Sequence, residues 1–217
     1  MSPSEILTKV WELHPVPAED LQVIACSFAF FLALWFVVLY MPIPFKPKHI
    51  NLNKMDDLDV RNRIVSLIHG LVCIVFAGYY TLASPLVCGD ANTLFEKRLS
   101  YFSVGYFCYD LISMGYYGLV DKAMLSHHTV SIWGMSLPFT LGISMNFYIR
   151  CQFIYEVSNP FMHARCILRH YGMRYTKAYE SSEITFMLLY MYGRIISGTT
   201  VLLQNLACQH NPMIMKI

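Results

Sequence analysis

The chain has 217 residues, of which 56% are hydrophobic and only 14% charged, with a formal net charge of +2. An ordinary soluble domain has roughly a quarter of its residues charged, so this composition excludes one and marks a membrane protein. Nothing in it points to a nucleic-acid partner or to a cofactor.

A hydrocarbon core ~30 Å thick needs about 20 apolar residues per spanning helix. Residues 1–20, with one lysine and four acids, are read as a lumenal tail. LQVIACSFAFFLALWFVVLYM (21–41) is the most lipid-like segment and is closed by Pro42 and Pro44, which cannot continue a helix ladder. It is too long for a signal core and is expected to be a retained first membrane helix. Residues 42–63 are expected to be a cytoplasmic loop, in which KMDDLDVRNR (54–63) is a solvated connection of mixed charge. Spans are then predicted over 64–83, 99–119, 124–143 and 184–207. A weaker one over 146–162 carries Arg150, Glu156 and Pro160 and is read as a buried span.

The expected fold is therefore all-α: a polytopic membrane helix bundle of about six spans. One membrane domain covers 64–217, without a soluble module. CQHNPMIMKI (208–217) passes a polar turn, restarts an apolar run and stops, which is the pattern of a chain lacking a seventh helix.

Short cytoplasmic loops collect Lys and Arg. With the N-terminus lumenal, the cytoplasmic side holds ten basic residues and the opposite side five, while Arg194 lies within a span. The seven cysteines show no metal spacing. Cys88 and Cys208 both fall on the lumenal side, where a disulfide is permitted, and the pairing stays open.

Ionisable groups at membrane depth usually face the bundle interior, and residues three, four or seven apart share a helix face. Three such stripes are present: Tyr106, Asp110, Ser113 and Tyr117; Glu156, Asn159, Pro160 and His163; and Tyr190, Arg194, Ser197 and Gln204. His69 joins them from the second span. Together they predict a polar interior that includes Asp110, Glu156, Asn159, Arg194 and His69, with Asp110 or Glu156 as the partner of Arg194. Structural glue and function both remain open for these charges.

MLSHHTVSIWG (124–134) sets His127 and His128 one turn into the fourth span. Adjacent helix residues point about 100° apart, so shared ligation of one metal is disfavoured and no metal site is expected. One imidazole is expected to face the cavity while the other bonds a neighbouring helix.

GYFCYDL (105–111), MLSHHTVSI (124–132) and YEVSNPFMHARCILR (155–169), in that order, resemble the TLC-domain family over roughly residues 60–207. That family holds the ceramide synthases and a larger set of non-synthase relatives. The resemblance implies a helix bundle around a lipid-accessible cavity in the endoplasmic reticulum, with the plasma membrane as the alternative. In the synthases the paired histidines serve acyl transfer from acyl-CoA to a sphingoid amine, so His127 and His128 would be catalytic here if the protein is an enzyme. The synthases follow the pair with a histidine-aspartate and another aspartate three residues on. This chain has Glu156-Val157-Ser158-Asn159 there, followed by Pro160-Phe161, which resembles the non-synthase branch.

The leading expectation is a lipid-binding membrane protein that influences lipid composition without ceramide synthase activity. Its expected partners are membrane lipids. The alternative is a lipid acyltransferase that takes acyl-CoA and uses the histidine pair on an amine or hydroxyl acceptor. A cargo receptor would need a sorting signal, and none of convincing strength is present.

Overall fold

The computed structural model describes residues 16–211 and 215. The expected lumenal tail lies outside the described residues up to residue 15, as does the apolar restart at the C-terminus apart from Met215. Helices run α1 Ala18–Tyr40, α2 Lys54–Ala83, α3 Leu94–Tyr117, α4 Lys122–Leu141, α5 Met145–Glu156, α6 Asn159–His170, α7 Lys177–Tyr190 and α8 Gly198–Ala207. A π-helical stretch, Met191–Ser197, joins α7 to α8, so Lys177–Ala207 is one continuous rod of 31 residues. Three helices are long and apolar enough to cross a membrane by length and composition: Ala18–Tyr40, Lys54–Ala83 and Lys177–Ala207. Among the described residues the protein is an all-α membrane bundle.

Two expectations are corrected. The solvated connection over 54–63 is helical, forming the first turns of α2. Asn53 caps it by accepting from the Asp56 amide at 2.9 Å, and half-buried ion pairs one turn apart, Asp57 with Arg61 (2.7 Å) and Asp59 with Arg63 (2.9 Å), brace its first turns. The weak fifth span is two helices of 12 residues each, broken at Val157 and Ser158. Pro160 has no N–H for the Glu156 carbonyl, and its ring clashes with that carbonyl in a continuous helix. Twelve residues cover about 18 Å, short of a ~30 Å core, so α5 does not span alone. It is enclosed by α2, α3, α4 and α8.

Packing places α2 at the centre, against α1, α3, α5 and α6. α1 docks on α3 where the chain is smallest. A Cβ on Gly105 would lie 2.7 Å from the Ile24 carbonyl oxygen and 2.6 Å from Ser27 Cβ. Ser27 Oγ donates to the Phe102 carbonyl at 2.6 Å. Phe31, Trp35 and Val38 of α1 are buried with Tyr106, Phe107 and Tyr109 of α3, and Trp35 Nε1 donates to Tyr117 Oη at 3.2 Å. Arg61 of α2 donates to the Val38 and Met41 carbonyls, satisfying acceptors at the end of α1 that have no partner within the helix. Large apolar side chains on α1 (Phe30, Phe36, Val37) and on the long rod (Leu188, Ile195, Ile196, Leu203) point outward. That surface suits lipid tails and is far larger than a soluble protein tolerates.

The loop between α2 and α3 is tied to the end of α8 at one pole. Cys88 and Cys208 form a disulfide across a sequence separation of 120. Around it, Ser144 Oγ donates to Asn211 Oδ1 and accepts from the Gly89 amide at 3.2 Å. Asn211 Nδ2 donates to Asn205 Oδ1 at 2.5 Å.

Candidate functional site

The polar stripes converge on a cavity of about 470 Å³ at the opposite pole, walled by α2, α3, α4, the α5–α6 break and the α7 rod. All seven residues singled out in the sequence line it: His69, Asp110, His127, His128, Glu156, Asn159 and Arg194.

Asp110 is the junction. It is 3% exposed and lies in the last third of α3. One carboxylate oxygen accepts from Asn62 Nδ2 of α2 at 2.9 Å, and the other lies 2.7 Å from His128 Nε2 of α4. The second nitrogen of His128, Nδ1, is 2.9 Å from the Met124 carbonyl oxygen. A carbonyl only accepts, so Nδ1 carries a hydrogen, and a single further proton is held between Nε2 and the carboxyl. The pair is neutral overall wherever that proton sits. Both nitrogens of His128 are thereby engaged, which leaves it no free lone pair for a substrate.

His127 is placed differently. It is exposed on the cavity wall, with its ring perpendicular to that of His128 at 5.6 Å between centroids, and makes no side-chain hydrogen bond among the described residues. The two histidines therefore divide. His128 ties α4 to α3, and His127 offers an open imidazole to whatever enters.

On the far wall, Glu156 ends α5. Its Oε2 accepts from Asn159 Nδ2 at 2.9 Å, and a Cβ on Gly70 would come within 3.0 Å of the same oxygen, so α2 approaches closely there. His69 is fully enclosed, stacked on Tyr106 at 3.8 Å between centroids, with Nε2 3.1 Å from Ser103 Oγ. Gln152 of α5 donates to the same Ser103 oxygen, so α2, α3 and α5 meet in one hydrogen-bonded cluster beside the cavity.

Arg194 departs from expectation. Neither Asp110 nor Glu156 forms an ion pair with it. Its guanidinium lies over the Tyr155 ring at 4.2 Å, with Tyr190 at 5.5 Å, and its Nε is buried without a hydrogen-bond partner. The stripe drawn through Arg194, Ser197 and Gln204 is also displaced, because Gln204 is exposed while Gly193, Gly198, Val201 and Asn205 face inward. The step of five from Gly193 to Gly198 is the π-helical turn, which shifts the inward face by one residue. Gly193 packs on the Ile154 carbonyl and Gly198 on the Tyr155 ring.

The cavity also contains residues that sequence reasoning had assigned to loops or passed over. Asn62, Ser66 and His69 are a stripe at spacings of four and three on α2, and that spacing would have revealed Asn62. Arg63 and Arg165 are two of the ten basic residues on the side read as cytoplasmic. Both reach the cavity, paired with Asp59 and Glu183. His163 Nδ1 is buried there without a partner. Away from the cavity, Cys88, Cys208 and His210 cluster closely, but the two sulfurs are joined to each other and are not free to ligate a metal.

The family model described as the TLC domain (TRAM/LAG1/CLN8) matches residues 59–215, a stretch that holds the whole cavity and omits α1. No solved structure matches the chain.

Proposed function

Because the chain belongs to the TLC-domain family, whose members are membrane proteins concerned with lipids, we propose that it takes a membrane lipid into the cavity between its helices and thereby influences membrane lipid composition, without ceramide synthase activity. The observation that carries this reading is the closed state of the Asp110–His128 pair. Both ring nitrogens and both carboxylate oxygens are already engaged, which suits a fixed wall better than a proton-transfer group. The replacement of the synthase-type acids by Glu156-Val157-Ser158-Asn159 supports it from the sequence side.

The membrane proposed is the endoplasmic reticulum, with the plasma membrane as the alternative and the Cys88–Cys208 pole in the lumen. A disulfide is at home in that oxidising compartment, and the basic loops then fall on the cytoplasmic side. Arg63, Asp121 and Arg165, near that basic side, are among the residues that line the cavity.

A second reading is acyl transfer from acyl-CoA to an amine or hydroxyl acceptor, favoured by the unengaged imidazole of His127. A neutral imidazole with a free nitrogen can accept the acceptor's proton as it attacks a thioester. Purified protein incubated with labelled acyl-CoA and candidate acceptors separates the two. The lipid-binding reading expects copurifying lipid and no acyl product. Turnover that His127→Ala abolishes, in protein that still melts like wild type, would establish the enzymatic reading instead.

A further inference from the structure

We propose that the lipid received in this cavity carries an anionic oxygen head, a carboxylate or a phosphate monoester, and that Arg194 receives it. The inference rests on the lipid-binding reading above and names its ligand class.

It follows from the charges of the wall. Asp59 is paired with Arg63 and His170. Asp110 is shared between Asn62 and His128. Asp121 caps α4 by accepting from the Met124 amide at 2.7 Å. Glu156 accepts from the neutral amide of Asn159 and lies within the field of Arg194 without forming an ion pair with it. Arg165 is matched by Glu183. Among the described residues of the wall, Arg194 is the arginine that no carboxylate meets.

Its setting keeps it available. The guanidinium carbon lies over the Tyr155 ring at 4.2 Å, and a cation over a ring engages the π-system without using a hydrogen-bond acceptor for its N–H donors. Nε is buried with no acceptor. His163, only 8% exposed, also lines the cavity, and its Nδ1 has no partner. Buried polar atoms are ordinarily matched, and three on this one cavity are not, Asn62 Oδ1, His163 Nδ1 and Arg194 Nε, so the matching atoms arrive with a ligand. An anionic oxygen satisfies a guanidinium in the planar, two-pronged geometry for which arginine is suited.

The remainder of the wall suits an alkyl chain: Met114, Leu119, Met162 and Phe186 are apolar. The volume of about 470 Å³ falls in the ordinary range of small-molecule sites, roughly 300–1,000 Å³. A long-chain amphiphile can therefore seat its head at Arg194 and leave its tail along the apolar wall.

The test compares probes of one chain length on the full chain in detergent: palmitate, hexadecyl phosphate, hexadecanol and methyl palmitate, with inorganic phosphate as a headgroup alone. The expected result is that the two anionic amphiphiles bind about tenfold or more tighter than the alcohol and the ester, the range of a charge-assisted hydrogen bond. Arg194→Gln then lowers their affinity to that of the alcohol, and Arg194→Lys retains part of it. If alcohol and ester bind as tightly as the anions, or if Arg194→Gln keeps the preference, the headgroup assignment is overturned while the lipid cavity stands. Saturation by inorganic phosphate alone overturns the lipid part of the assignment. If none of the probes binds, the lipid-binding reading itself is wrong. The wild-type comparison decides between these outcomes even where a variant fails to fold.

Discussion

Replacing Asp110 by Ala removes two interhelical contacts at once, the acceptor for Asn62 Nδ2 at 2.9 Å and the partner of His128 Nε2 at 2.7 Å. Breaking a buried ion pair costs about 3–5 kcal/mol when an uncompensated charge is left behind. Here His128 can surrender its proton and stay neutral, with Nδ1 still bonded to the Met124 carbonyl, so the larger figure does not apply. What remains is two hydrogen bonds between membrane helices, about 0.6 kcal/mol each on average and up to ~1.7. A desolvation term for the orphaned Asn62 donor, of about 1–3 kcal/mol, adds to them. Asp110→Ala should therefore destabilise by about 2–4 kcal/mol. Asp110→Asn should cost under about 1 kcal/mol, because its amide nitrogen can donate to Nε2 of a neutral His128 while its oxygen still accepts from Asn62. The assay is reversible unfolding of purified protein in mixed micelles, following tryptophan fluorescence, with a double-mutant cycle on Asp110→Ala and His128→Ala. A coupling energy of about 1–2 kcal/mol is expected. If Asp110→Asn costs as much as Asp110→Ala, the charge rather than the hydrogen-bond geometry holds the junction, and the neutral-pair reasoning is wrong.

Reduction, or Cys88→Ser or Cys208→Ser, should slow migration on a non-reducing gel and destabilise by about 2–4 kcal/mol, with the double variant no worse than either single one. Gly193→Leu should cost about 1–3 kcal/mol in thermal melts, because its first added carbon already lies 2.9 Å from the Ile154 carbonyl oxygen and the backbone must move aside. Gly105→Val should separate α1 from α3, exposing Trp35 to a fluorescence quencher while the far-ultraviolet helix signal stays near that of wild type.

Periodicity made the cavity legible because a polar residue in lipid must turn inward, whatever it then meets. Spacing of three and four turns Asp110, Glu156, Asn159 and Arg194 inward, and the structure brings them to one cavity. It could not name their partners, since a face fixes direction and leaves the neighbour across the gap unspecified. Arg194 was matched to the nearest acids by sign, whereas those acids already had closer donors in Asn62, His128 and Asn159. The lower part of the last stripe failed for a different reason: one π-helical turn between Gly193 and Gly198 moves every later residue off a face counted at 3.6 per turn. The two glycines were the available signal, because small residues are where membrane helices approach closely. Pro160 was visible in the sequence, and its effect on the Glu156 carbonyl could have divided the fifth span there. The helical character of 54–63 was harder to see, since it depends on a cap and on pairs of charges rather than on an apolar face.

Lipid tails are as apolar as leucine, so burial of side chains does not by itself decide which membrane helices associate. In this bundle the polar contacts supply that choice. Asn62 and Asp110 link α2 to α3, Gln152 and Ser103 link α5 to α3, His170 and Asp59 link α6 to α2, and Glu183 and Arg165 link α7 to α6. Helix α4 buries few side chains of its own. Its buried residues are His128, Leu137 and Pro138, while Leu125, Val130 and Trp133 point outward. Among the described residues two polar side-chain tethers hold it, His128 on Asp110 at the cavity end and the Pro138 carbonyl on Asn92 at the other, 2.7 Å each. Cutting the first should release the cavity end of α4 and leave the far end anchored. Amide exchange in Asp110→Ala protein should then rise in the first turns of α4, near residues 122–130, and stay low around Leu137. A uniform rise across all helices would mean that Asp110 supports the whole bundle and that α4 is no weaker than its neighbours.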